Sequence, residues 1–197
     1  MTQSTETTSP FARAAAEGRL IREEWSREAD GRQLLCWLTA LTDDPETRPE
    51  TCRADQCPAW LAYWLPWADD SGTEAAWPSH VTRLARVAHK IPGIDAQKSR
   101  RLQCLFLIEI LMEARKQNAA PCDRVIALLR RELDGDVPTR EEYLAEEAAR
   151  AAEAAAEEAA WAAAAATEAA TARAAWAACA DRIISACIGH LETELLP

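Results

Sequence analysis

Between Thr139 and Ile188 the chain carries 24 alanines in 50 residues, and no glycine or proline interrupts the run before Gly189. Alanine has the best helix propensity and glutamate is close behind, so a helix is expected on local grounds alone. Its start is well marked. Asp134-Gly135-Asp136 is a turn and Pro138 stands just outside, and Thr139 followed by Glu142 forms a capping box. A straight helix of this length would measure about 75 Å, whereas a compact chain of this size has a radius of gyration of roughly 16 Å. The sequence therefore predicts a helix that bends, breaks near Thr167 to Thr171, or projects from a smaller body.

At 100° per residue the faces of this helix separate. Leu144, Ala148, Ala151, Ala155, Ala159, Ala162, Ala166, Ala169, Ala177, Ala180, Ile184 and Cys187 share one side, where small side chains admit a close neighbour, within the fold or from a second copy in a homo-oligomer. Glu146, Glu153 and Glu157 lie opposite, together with Tyr143 and Trp161, which are five whole turns apart. Two large aromatics among carboxylates form a candidate partner-binding stripe, since Tyr and Trp anchor interfaces and acidic surroundings steer a basic partner.

The rest of the chain predicts an all-α protein: a disordered N-terminus over 1–8, a helical body over 9–133 and the long helix over 139–188. Only four valines occur, and no alternating β-branched run is present. Ser9-Pro10 begins a helix expected to reach about Ala29, with Phe11, Ile21 and Trp25 as core contacts. Gln33 to Leu41 reads as a second. Pro58 opens a third that carries Trp60, Trp64 and Trp67 at i, i+4, i+7, the spacing of a buried face. A fourth is expected over Ser79 to Lys90. Asp95 caps a fifth, apolar nearly all round from Leu102 to Met112 and so expected mid-core. A sixth is read over Cys122 to Leu133.

Charge is unevenly placed. The net is −10, but residues 81–131 hold 11 basic and four acidic side chains, while 132–197 hold four basic and 14 acidic. Overall acidity argues against a general binder of nucleic acid or anionic membranes. The basic middle keeps a local alternative: Arg83, Arg86 and Lys90 share a helical face and could grip phosphates. It equally predicts that the acidic helix packs on the basic segment.

No apolar run is long enough to span a bilayer, and the opening residues lack the basic-then-apolar pattern of a signal peptide. A cytoplasmic protein with seven reduced cysteines is expected, without membrane contact. Cys52 and Cys57 in a Pro-rich loop, with His80 and His89 downstream, are candidates for zinc, although their spacing is loose. Glycines are scattered singly, so neither a phosphate loop nor a dinucleotide fingerprint is present. No nucleophile elbow exists. The expectation is a non-enzymatic chain without a cofactor.

Cys36-Trp37-Leu38-Thr39-Ala40-Leu41, Cys57-Pro58-Ala59-Trp60-Leu61, Pro66-Trp67-Ala68-Asp69-Asp70 and Ala76-Trp77-Pro78, followed by the alanine-rich tail with Trp161 and Trp176, resemble proteins of tailed phages and prophages. The resemblance implies an accessory protein in the cytoplasm of a host cell that acts by binding a host or phage protein. One form is inhibition of a nucleic-acid-handling defence complex of the CRISPR type, with the acidic surface imitating a phosphate backbone.

Overall fold

A computed structural model describes residues 9–116, 119–145 and 169–196, without the side chains of residues 121 and 169–175. The order is α1 (Pro10–Ala16), β1 (Ser26–Ala29), β2 (Arg32–Leu35), α2 (Trp37–Thr42), α3 (Ala59–Ser71) and α4 (Trp77–Val87), which runs on into a 3-10 turn (Ala88–Gly93). Then follow α5 (Ala96–Ala114), α6 (Ala119–Leu133), a helical run over 140–145 (α7) and α8 (Ala169–Leu195). The protein is mostly helical, as expected, but carries one small antiparallel hairpin.

That hairpin corrects the first two helices. Ser9 caps α1 as read, its hydroxyl accepting the Ala12 N–H at 3.1 Å. The helix stops at Ala16 rather than Ala29, because Gly18 takes φ +64°. The N–H of Arg19 reaches back to the Ala14 carbonyl and that of Gly18 to Ala15, a Schellman closure. Ser26 then pairs with Leu35 and Ala29 with Arg32, leaving a two-residue loop of Asp30 and Gly31. Both have positive φ (51° and 68°), the type I′ geometry that matches strand twist. Residues 33–35 are thus strand, and the helix expected over Gln33–Leu41 is confined to α2, Trp37–Thr42.

The main core gathers Phe11, Trp37, Leu38, Leu61, Leu65, Leu84, Leu102 and Phe106 with Ile184, Ile188 and Leu191. The tryptophans of α3 pack as expected. Trp60 and Trp64 meet Phe106 edge-on at 5.0 and 4.9 Å, and the Trp60 indole donates to Ser99 at 3.0 Å. Asp95 caps α5 through the Lys98 N–H at 2.7 Å. α5 is not wholly enclosed: Leu102 and Phe106 face the main core, Cys104 and Leu111 face a second cluster on α6, and Leu107, Ile110 and Met112 remain exposed.

The single helix expected over 139–188 is not what the described residues show: they give a short helical run over 140–145 and α8, Ala169–Leu195, while 146–168 lie outside the described residues. The capping box forms, Thr139 N–H donating to Glu142 at 2.7 Å and Glu142 N–H to the Thr139 hydroxyl at 3.2 Å. At the other end α8 continues past Ile188 and through Gly189 to Leu195. Ala180, Ile184 and Cys187 are buried as the face reading requires, joined by Ile183, Ile188, Leu191 and Leu195, so α8 completes the core laid down by residues 9–114. Leu144, on the same nominal face, is exposed. No helix among the described residues is long and apolar enough to cross a membrane.

Candidate functional site

Glu146, Glu153, Glu157 and Trp161 lie outside the described residues. Tyr143 is turned inward: its ring packs against the α5–α6 cluster and its hydroxyl donates to Glu132 Oε2 at 2.7 Å. Burial first, and that hydrogen bond second, push its phenol up to about 12.

Three cations of the basic middle, Arg83, Arg86 and Arg101, reach across to α8. Arg83 donates to Glu192 through Nη2 at 2.7 Å and Nε at 3.2 Å, and to the Ser185 carbonyl and hydroxyl through Nη1 at 3.0 and 2.7 Å. Arg86 reaches the other Glu192 oxygen at 3.3 Å. Farther along, Arg101 pairs with Glu194 at 2.9 Å, and Arg182 of α8 pairs with Glu113 of α5 at 2.9 Å. Lys90 is exposed in the 3-10 turn. Part of the charge complementarity read between the two segments is thus met within the fold, with Arg83 half-buried against Glu192 and Arg86 still largely exposed.

A different set of residues does converge on the surface. Arg22 lies across the C-terminal end of α3, donating to the Asp69 carbonyl at 2.7 Å, the Gly72 carbonyl at 2.6 Å and the Glu74 carboxylate at 3.0 Å. With its neighbour so anchored, Glu23 is turned into the left-handed region, φ 64°. For a residue with a Cβ this costs about 1 kcal/mol. The Glu23 N–H donates to Asp70 Oδ1 at 2.6 Å, a bond to a charged acceptor that offsets the strain. The chain then passes through Glu24 and Trp25, and the Trp25 carbonyl accepts the Cys36 N–H and the Thr39 hydroxyl, both at 2.9 Å.

Glu23, Glu24, Trp25, Cys36, Pro66 and Asp70 line the resulting cavity of about 120 Å³. At roughly 30 Å³ per water it has room for a small head group such as an ammonium or guanidinium. Its lining suits a cation: Glu23, Glu24 and Asp70 share it with Trp25, whose ring already carries the Arg48 guanidinium 5.0 Å from its centroid. Glu24 also pairs with Arg27 at 2.8 Å, a solvent-exposed contact that an incoming cation can displace. Cys36 contributes no ready nucleophile, because burial pushes its thiol up. Tyr63, exposed one turn before Pro66 and two before Asp70, extends the same side of α3.

Behind the cavity lies Asp69, fully buried. Its carboxylate accepts the Trp37 N–H at 3.0 Å, at the first turn of α2, and the Trp77 indole N–H at 2.7 Å, at the start of α4. Burial raises its pKa to about 7 despite these two donors. Sequence reasoning misses this region. Helical periodicity places Trp25 in a core it does not join, and nothing local ties Glu23 to Asp70, 47 residues away.

A larger cleft, about 340 Å³, opens between α5 and the turn after α6, but its cations are engaged: Arg100 chelates Glu132 at 2.6 and 2.8 Å and Arg101 holds Glu194. Comparison with protein-family models, curated proteins and solved structures gave no match. None of these comparisons links the chain to proteins of phages.

Proposed function

We propose that this protein works by binding, and that its partner is a protein presenting a lysine- or arginine-rich segment to the cavity at Glu23, Glu24, Trp25 and Asp70. The observation that carries the reading is that Glu23, Glu24 and Asp70 line one cavity with Trp25, beside a strained backbone at Glu23. Strained residues that neighbouring structure over-determines gather where a protein binds or reacts. The net charge of −10 favours the same class of partner by steering its approach.

The phage-accessory reading is a narrower form of this proposal. A nucleic-acid-handling complex of the host presents cationic grooves, and an acidic protein that fills one acts as an inhibitor by occupancy. The experiment is calorimetric titration with an arginine-rich peptide at low and high salt, using the wild type and a Glu24→Gln/Trp25→Ala double variant. Loss of the cation–π contact alone, about 1–2 kcal/mol, predicts roughly 5- to 30-fold weaker binding in the variant, with an unchanged circular dichroism spectrum. Equal affinity in both proteins, or equal affinity for an acidic peptide, would remove the proposal.

A further inference from the structure

Among the described residues no three His, Cys, Asp or Glu side chains are arranged to hold a metal, Cys52 and Cys57 included. The larger cleft beside α5 carries a different chemistry, independent of the cation-binding cavity at Trp25. Arg100, Arg101 and Cys104 supply its α5 wall, and Glu132 and Leu133 its α6 wall. The chain leaves α6 through a Schellman closure, in which the Asp136 N–H donates to the Arg131 carbonyl at 2.9 Å and the Gly135 N–H to the Glu132 carbonyl at 3.0 Å. Gly135 takes φ +93° in this turn, and Val137 just beyond it completes the lining. The volume of about 340 Å³ falls in the range of small-molecule sites, roughly 300–1,000 Å³.

The charges in the lining are not equivalent. Arg100 commits all three nitrogens: Nε and Nη2 donate to Glu132 at 2.6 and 2.8 Å, and Nη1 to Gln103 at 3.0 Å. Glu132 also accepts the Tyr143 hydroxyl at 2.7 Å, so Arg100 and Glu132 are matched to each other and held in place. Arg101 differs. It donates to Glu194 through Nε alone, at 2.9 Å, and Glu194 stands outside the lining. Among the described residues neither Nη group of Arg101 is bonded, and its side chain is 48% exposed. Two cations and one carboxylate thus leave the lining with one positive charge unmatched.

A planar carboxylate suits such a guanidinium edge, because two parallel N–H···O bonds form at once. A dianion would exceed the single unmatched charge and meet repulsion from Glu132. The remaining lining is apolar: Leu133 is half-buried, and Val137 is 70% exposed, so its side chain gains cover when the cleft fills. We propose that this cleft binds a small monocarboxylate with an apolar body, the carboxylate pairing with the Nη1–Nη2 edge of Arg101 and the body lying against Leu133 and Val137.

The test is an amide-detected NMR titration of the full chain with phenylacetate, with its neutral analogue phenylacetamide, and with inorganic phosphate. Phenylacetate should shift the amides of the α5 residues around Arg101 and of the turn from Leu133 to Val137. It should bind at least about 10-fold more tightly than the amide, the margin of a hydrogen bond to a charged group. Arg101→Gln should erase that margin, and Val137→Asp should weaken phenylacetate by placing a carboxylate in the cleft. Both changes fall on exposed side chains, and spectra that match the wild type away from the cleft establish that each variant is folded. Equal binding of acid and amide, phosphate bound as tightly as phenylacetate, or full affinity in the folded Arg101→Gln variant would each overturn the proposal. Shifts confined to other surfaces, or none up to the solubility limit of phenylacetate, would overturn it as well.

Discussion

Asp181 of α8 holds Thr73, 108 residues earlier, through both carboxylate oxygens: Oδ1 accepts the backbone N–H at 2.9 Å and Oδ2 the hydroxyl at 2.7 Å. The Thr73 hydroxyl in turn accepts the Ala76 N–H at 3.2 Å, so the carboxylate organises the entry to α4. Approach this close needs Gly72, where an added Cβ would lie 2.6 Å from Asp181 Oδ1 and 3.4 Å from Ile184 Cδ1. Asp181→Ala should lower unfolding free energy by about 1–3 kcal/mol, the effect of stranding donors that met a charged acceptor. Gly72→Ala should also destabilise, and the two changes together should cost less than their sum, because both act on one contact. Urea denaturation of the two single variants and the double variant checks this.

The half-buried latch between Arg83 and Glu192 should matter more than an exposed pair of similar length. Arg83→Met removes four donor contacts to α8 and should destabilise by about 1–3 kcal/mol. Arg13→Ala, which breaks the exposed pair with Asp43 at 2.9 Å, should leave the denaturation midpoint almost unchanged. Equal losses in both variants would contradict the ranking.

Asp69 makes stability depend on pH in the direction opposite to most carboxylates. Its folded-state value is raised to about 7, while an unfolded aspartate titrates near ~3.9. The folded protein therefore holds this proton where the unfolded chain has released it. The contribution is fully present below about pH 4 and is lost as pH rises to about 7. Asp69→Asn should flatten this part of the profile, read as the change in denaturation midpoint between acidic and neutral buffer. Glu113 runs the other way: its bonds to Arg182 and Lys116 hold it at about 2, so its contribution disappears only in stronger acid.

Tyr143 should ionise late. With its phenol pushed up to about 12, the ultraviolet titration of the folded protein should show one tyrosine component delayed into strong alkali, and Tyr143→Phe should abolish that component. The same shift means that its contribution to stability declines as pH rises from about 10 through 12. Tyr143→Phe should also lower stability at neutral pH by about 1 kcal/mol through loss of the bond to Glu132.

Much of the helical framework is legible in the sequence because its signals are local. Ser9, Asp95 and the Thr139/Glu142 box each satisfy helix N–H groups within three residues, so side-chain identity and spacing suffice. The hairpin escapes that reading although Asp30-Gly31 carries its turn chemistry, because the residues before it suit an uninterrupted helix and only the positive φ of Gly18 ends it. The burial of Ala180, Ile184 and Cys187 follows from periodicity, but passage through Gly189 depends on the tertiary packing of the last turns. The cavity cannot be read at all. It requires Arg22 to bind carbonyls 47 and 50 residues away, a contact set by three-dimensional closure rather than by any repeating pattern.

The long separation between α8 and its partners has a consequence for synthesis. Ribosomes add roughly 5–20 residues per second, and Arg83 emerges long before Ser185 and Glu192, 102 and 109 residues later. Until then the apolar sides of α3, α4 and α5 that receive Ile184, Ile188 and Leu191 have no native cover. A translating chain of this protein thus passes through an interval in which that apolar surface has not yet met the helix that covers it.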